Sequence, residues 1–141
     1  MDATGREVLH LRLAYWVGAV FDALTLIPML VPGVGASIFG LRDFVPSAAY
    51  QYAMSTAAAL MLGWTALLLW ADRKPLARRG VLPLTVLVVA GLAGSGAYAV
   101  ASGLIALNCM LPTWIWQAVI SGYFLFAYWR SRGLGREEPR Q

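Results

Sequence analysis

The sequence predicts an all-α protein, an integral membrane four-helix bundle with both termini in the cytoplasm. Three observations carry that expectation. Of 141 residues, 60% are hydrophobic and 13% are charged, against about 25% charged in soluble domains. The charges are also segregated: none falls between Phe44 and Ala71 or between Gly80 and Trp129, and Asp22 stands alone between Leu13 and Leu41. Finally, ten of the 11 Lys and Arg residues fall in segments that four crossings would place on one side, the bias that sets the orientation of membrane helices.

A membrane helix needs about 20 mostly apolar residues at about 1.5 Å each, so the run from Gly80 to Trp129 fits two crossings with a turn. The whole chain, 1–141, reads as one transmembrane domain, with spans at about 13–31, 47–71, 81–104 and 109–129. Residues 1–12 and 130–141 are its expected cytoplasmic tails. Helices are required, because backbone polar groups in lipid must pair within the segment and no strand-like alternation is visible. Arg6 and Arg12 precede span one, Arg73, Lys74, Arg78 and Arg79 join spans two and three, and Arg130, Arg132, Arg136 and Arg140 follow span four. Only Arg42 falls on the other side. Aromatic residues agree with this arrangement, since Trp and Tyr favour the headgroup level. Tyr15, Trp16, Trp70, Tyr128 and Trp129 fall at the inner boundary, and Tyr50, Tyr52, Trp114 and Trp116 at the outer one. The expected location is the cytoplasmic membrane of a bacterium or archaeon, with span one retained because it is too long for a signal peptide.

Lipid tails give helices no hydrophobic reason to associate, so small residues that permit close approach are expected at the contacts. Gly91, Ser95, Ala99 and Gly103 recur every four residues in span three, which places that span at the bundle centre or at a dimer contact. Ser55, Ala59 and Gly63 repeat the pattern in span two, and Ala118 and Gly122 in span four. Pro28 is expected to kink span one. The loop from Pro32 to Pro46 is apolar enough to lie in the interface or cover the bundle, as an anchor or as a lid. Pro46, Ser47, Tyr50, Gln51 and Ser55 match Pro112, Thr113, Trp116, Gln117 and Ser121 in spacing. That echo would fit two hairpins related by an axis along the membrane normal.

Asp22 is the sharpest chemical feature, about nine residues into span one and so about 13 Å deep. A carboxyl group there costs several kcal/mol if charged and unpaired. With no basic residue at the same depth, it is either a protonated acid or a carboxylate reached by water or a bound cation. Thr25 shares its helix face. Ser95 and Ser121 are expected at similar depth, and Gln51, Ser55, Tyr98 and Gln117 would line the outer half if they face inward, with Trp64 and Tyr123 nearby. These residues outline a polar, outward-opening cavity with Asp22 at its floor; the structural alternative is a set of interhelical hydrogen bonds.

One intramembrane carboxyl group gives poor support for acid–base catalysis, which usually needs two groups with separated pKa values. His10 and Cys109, the sole residues of their types, stand on opposite sides and cannot build a metal or haem site together. No catalytic residues, metal site or cofactor are therefore expected. The basic residues flank membrane helices and form no separate domain, which fits topology and anionic lipid rather than nucleic acid.

Tyr15, Trp16, Val17, Gly18, Ala19, Val20, Phe21 and Asp22, with the stretch from Leu62 to Thr85 that holds Trp70, Ala71, Asp72, Arg73, Lys74 and Pro75, resemble small uncharacterised four-span prokaryotic membrane proteins. In outline the chain is also similar to DoxX-like membrane proteins, a resemblance that implies a subunit associated with redox or quinone chemistry. The residues themselves favour a protein that binds or transports a small molecule or lipid through the Asp22 cavity. Alternatives are an accessory subunit of a larger membrane complex, or of a homodimer, docked through span three, and a membrane enzyme acting on an isoprenoid-like lipid.

Overall fold

The computed structural model describes residues 3–41 and 43–132. Arg42, and residues 133 onward with Arg136 and Arg140 of the expected tail, lie outside the described residues. Five helices follow in chain order: α1 Ala3–Leu30, α2 Pro32–Phe39, α3 Ala48–Asp72, α4 Val81–Ala101 and α5 Leu107–Ser131. All but α2 are long and apolar enough to cross a membrane. The expected bundle of four long apolar helices is present, and the apolar first loop adds a short fifth helix.

The element ends follow local chemistry. Ser47 caps α3 by accepting a hydrogen bond from the backbone N–H of Tyr50 at 3.1 Å. Gly40 closes α2 in the left-handed conformation, φ 66°. α4 stops at Ala101, short of the expected Leu104, with Gly103 just beyond it at φ 73°. The Pro46–Ser55 and Pro112–Ser121 echo does not survive as a structural repeat. Ser47 precedes α3 as its cap, whereas Pro112 and Thr113 lie inside α5, which begins earlier, at Leu107.

α1 is the organising helix, packed along α3 and against α5, while α4 lies mainly on α5. Both termini of the bundle and the Arg73–Arg79 turn share one end, here the basic end; α2 marks the other, capped end. The hydrophobic core occupies the basic half. Leu11, Ala14, Tyr15 and Ala19 of α1 meet Leu68 and Ala71 of α3, Leu82 of α4, and Ile120, Phe124 and Ala127 of α5. Tyr15 is fully buried and its hydroxyl donates to the Arg78 carbonyl at 3.0 Å. Arg79 Nη1 donates to the Ser131 carbonyl at 2.6 Å, and Trp16 Nε1 to Asp72 Oδ2 at 3.3 Å. Arg78 stacks over the Trp70 ring at 3.3 Å and donates to the Trp70 carbonyl. These bonds tie the Arg73–Arg79 turn to α1, α3 and α5 at the basic end.

Within the bundle the small-residue rows do not make the helix contacts expected of them. Gly91 and Ser95 of α4, Ser55, Ala59 and Gly63 of α3, and Ala118 and Gly122 of α5 are exposed. α4 is accordingly peripheral rather than central. The close approaches use other faces of these helices. α3 buries Ala58, Thr65, Leu68 and Ala71, and α4 buries Gly96, where a methyl group would stand 3.1 Å from Met110 Sδ and from Trp114 Nε1. At Gly18 a methyl group would stand 3.1 Å from both Leu68 Cδ1 and Phe124 Cζ, so this glycine sets the spacing of α1, α3 and α5.

α2 folds back onto α1 because Gly35 permits it: a methyl group there would lie 2.9 Å from the Pro28 carbonyl oxygen. Gly40 in turn sits against Cys109, whose Sγ would be 3.2 Å from an added methyl. Gly35→Ala should therefore lift α2 and expose Cys109 at the start of α5. A severalfold faster reaction of Cys109 with a maleimide is the expected result, and an unchanged rate would mean that α2 absorbs the methyl in place.

Candidate functional site

The capped half of the bundle is hollow. Here α1, α4 and α5 enclose a cavity of about 430 Å³, with Ile38 and Phe39 of α2 over it and Phe124 and Ile120 toward the core. That volume falls within the range of about 300–1,000 Å³ typical of small-molecule sites. Asp22 and Thr25 line it from α1, and Thr113, Trp116 and Gln117 from α5. The rest of the wall is largely apolar, including Phe21, Met61, Val89 and Leu92. Phe21 and Trp116 pack ring to ring, with centroids 5.0 Å apart.

A second hollow of about 410 Å³ lies between α3 and α4. It shares Asp22, Met61, Thr85, Val89 and Leu92 with the first, so Asp22 stands where the two meet. Toward the basic end this hollow is bounded by a short bridge. Trp64 Nε1 donates to Thr85 Oγ1 at 3.3 Å, and the threonine hydroxyl donates to the Val81 carbonyl at 2.9 Å.

The polar groups of the wall are incompletely paired. Asp22 Oδ2 and Gln117 Oε1 are both buried and without a hydrogen-bond partner among the described residues. Thr25, one turn from Asp22, is not that partner, since its hydroxyl donates to the Asp22 backbone carbonyl at 2.7 Å. Buried acceptors of this kind are uncommon, because each one left unmade costs about 1–3 kcal/mol. Both of these belong to side chains that line the same cavity.

Of the residues expected in the site, the structure brings together Asp22, Thr25 and Gln117, with Trp64 on the α3–α4 side. The others lie elsewhere. Gln51 and Ser55 are exposed near the start of α3, and Ser95 and Tyr98 are exposed on α4, Tyr98 to 77%. Ser121 lines a shallow groove between α4 and α5, one turn from Gln117. Tyr123 sits nearer the basic end, its hydroxyl donating to the His10 carbonyl at 3.3 Å. The wall is thus less polar than expected, with its polar groups confined to a strip on α1 and α5 and to Thr85. Thr85 was signalled only by being the one hydroxyl in an apolar run from Val81 to Ala90, and the methionine and aliphatic walls carried no signal at all. No protein-family model, curated protein or solved structure matches this chain.

Proposed function

We propose that the protein is a binding or transport protein for a small, largely apolar molecule with a hydrogen-donating group, held in the cavity beside Asp22. We place it in the cytoplasmic membrane with the basic end inside, so that the capped end faces outward. The observation that supports this reading is the pair of unpartnered acceptors, Asp22 Oδ2 and Gln117 Oε1, in one otherwise apolar wall. An apolar pocket with a few placed polar groups binds by burying the body of a ligand and orienting its head.

The test uses hexylamine, hexanol and hexane with the purified protein. Hexylamine and hexanol are expected to raise the melting temperature of the wild type and hexane to raise it less; a ligand at 100 times its Kd adds about 2.7 kcal/mol. In Asp22→Leu the advantage of the polar probes should vanish. If the three probes act alike on the wild type, or the advantage persists in Asp22→Leu, the reading fails.

A second reading, an accessory subunit docked through span three, is favoured by one observation: the exposed row of Gly91 and Ser95 on α4. Under it, Ser95→Leu releases a stoichiometric membrane partner while leaving probe binding intact.

A further inference from the structure

α3 and α4 are consecutive, joined by a tight turn, and helices so connected ordinarily pack along their length. Here they do not. α3 lies on α1 and α4 lies on α5, so the two part beyond the Trp64–Thr85 bridge and leave a cleft. One wall is Ala57, Leu60 and Met61, the other Val88, Val89 and Leu92, and Asp22 lies at its inner side. The cleft runs at mid-length of the helices, and Leu60 at its edge is 72% exposed. In a spanning protein that level is filled by acyl chains rather than water.

The chemistry of the cleft narrows what can occupy it. Its sides are aliphatic, which suits an alkyl chain. No lysine or arginine lines the cleft or the cavity it joins among the described residues, so nothing there would pair with a phosphate or carboxylate. Of the two unpartnered acceptors, Asp22 Oδ2 belongs to the cleft's inner side and Gln117 Oε1 to the wall of the cavity that the cleft joins, so a head group that serves both needs two donors. A hydroxyl supplies one, whereas a primary ammonium supplies three. Building on the Asp22 site proposed above, the geometry points to a lateral portal between α3 and α4 that admits a single-chain primary amine from the bilayer. Its head sits between Asp22 and Gln117 and its chain lies in the cleft.

The experiment uses the full chain in phosphatidylcholine nanodiscs and decylamine carrying a diazirine at the end of its chain. After irradiation, labelled residues are mapped by mass spectrometry. The expected label falls on Leu60 or Val88, which line the cleft and not the central cavity, is lost in Asp22→Leu, and is displaced at least tenfold more effectively by decylamine than by decanol. Leu60→Trp, a substitution at an exposed position that fills the cleft mouth, should lower labelling at least tenfold while hexylamine, short enough for the central cavity, binds as before. Val88→Trp must act in the same way, and the melting temperatures of both variants establish that they are folded. Label on Ile38, Phe39 or Trp116 would place the chain beneath α2 and overturn the lateral route, leaving the Asp22 site standing. Equal displacement by decanol overturns the assignment of an amine. Labelling that persists in Asp22→Leu overturns both the portal and the site.

Discussion

Asp22→Leu is expected to melt several degrees above the wild type in detergent, in the absence of any ligand. Most substitutions at buried positions destabilise, so a gain here would be informative. Asp22 Oδ2 is shielded from solvent and has no hydrogen-bond partner among the described residues. An unsatisfied buried polar atom costs about 1–3 kcal/mol. Leucine removes that cost and has room, because Asp22 borders both hollows rather than close-packed core. The same change removes the group held to bind the ligand. A binding site that strains its own fold is the common trade between stability and activity. Thermal unfolding monitored by fluorescence decides the matter: a melting temperature lowered by several degrees would show that the carboxyl group is a structural partner, and the site reading would lose its central residue.

The four long apolar helices were legible because each rests on a signal summed over about 20 residues, and a lone aspartate hardly perturbs it. The short helix α2 was half legible: the loop's apolar character was plain, and a covering role was among the expectations. Its helical form depends on Gly35 meeting the Pro28 carbonyl, a contact that exists only once the chain has turned back. Asp22 stood out for the same reason that the spans did, as the exception in an apolar run. The faces of the helices were far less legible. In a soluble bundle polarity marks the outer side of each helix, but in lipid both sides are apolar, and small residues are the remaining clue. That clue pointed away from the buried positions on α3 and α4, since those helices carry more small residues than their contacts use. Ser95 and Ser55 followed the small-residue rows outward. The cleft was invisible for a further reason: it arises from α3 and α4 choosing different partners, and no pattern within either helix records that choice.

Gly18→Val is expected to give the largest loss of stability, because the junction it would disturb holds three helices at once. An added methyl group stands 3.1 Å from side-chain carbons of both Leu68 and Phe124. Both neighbours are essentially fully buried, and Leu68 is held within the core. Overpacking of this kind costs about 1–3 kcal/mol. The damage should not stay in the core. Gly18 and Phe124 also line the central cavity, so a displaced Phe124 ring moves into the space assigned to the ligand. Melting temperature and hexylamine affinity should therefore fall together. Two comparisons separate this from the ordinary effect of replacing a glycine. At Gly91 and Gly122 an added methyl meets nothing within 4 Å, so Gly91→Val and Gly122→Val in detergent should melt near the wild type. Trimming the obstructing ring should also relieve the clash: Gly18→Val with Phe124→Leu should be more stable than the sum of the single changes, by a coupling of about 0.5–3 kcal/mol. Additive losses would mean that α1 does not meet α5 at Gly18. The core would then have to be anchored through Tyr15 and Leu11, and the floor of the cavity would no longer be set by the spacing of α1 and α5.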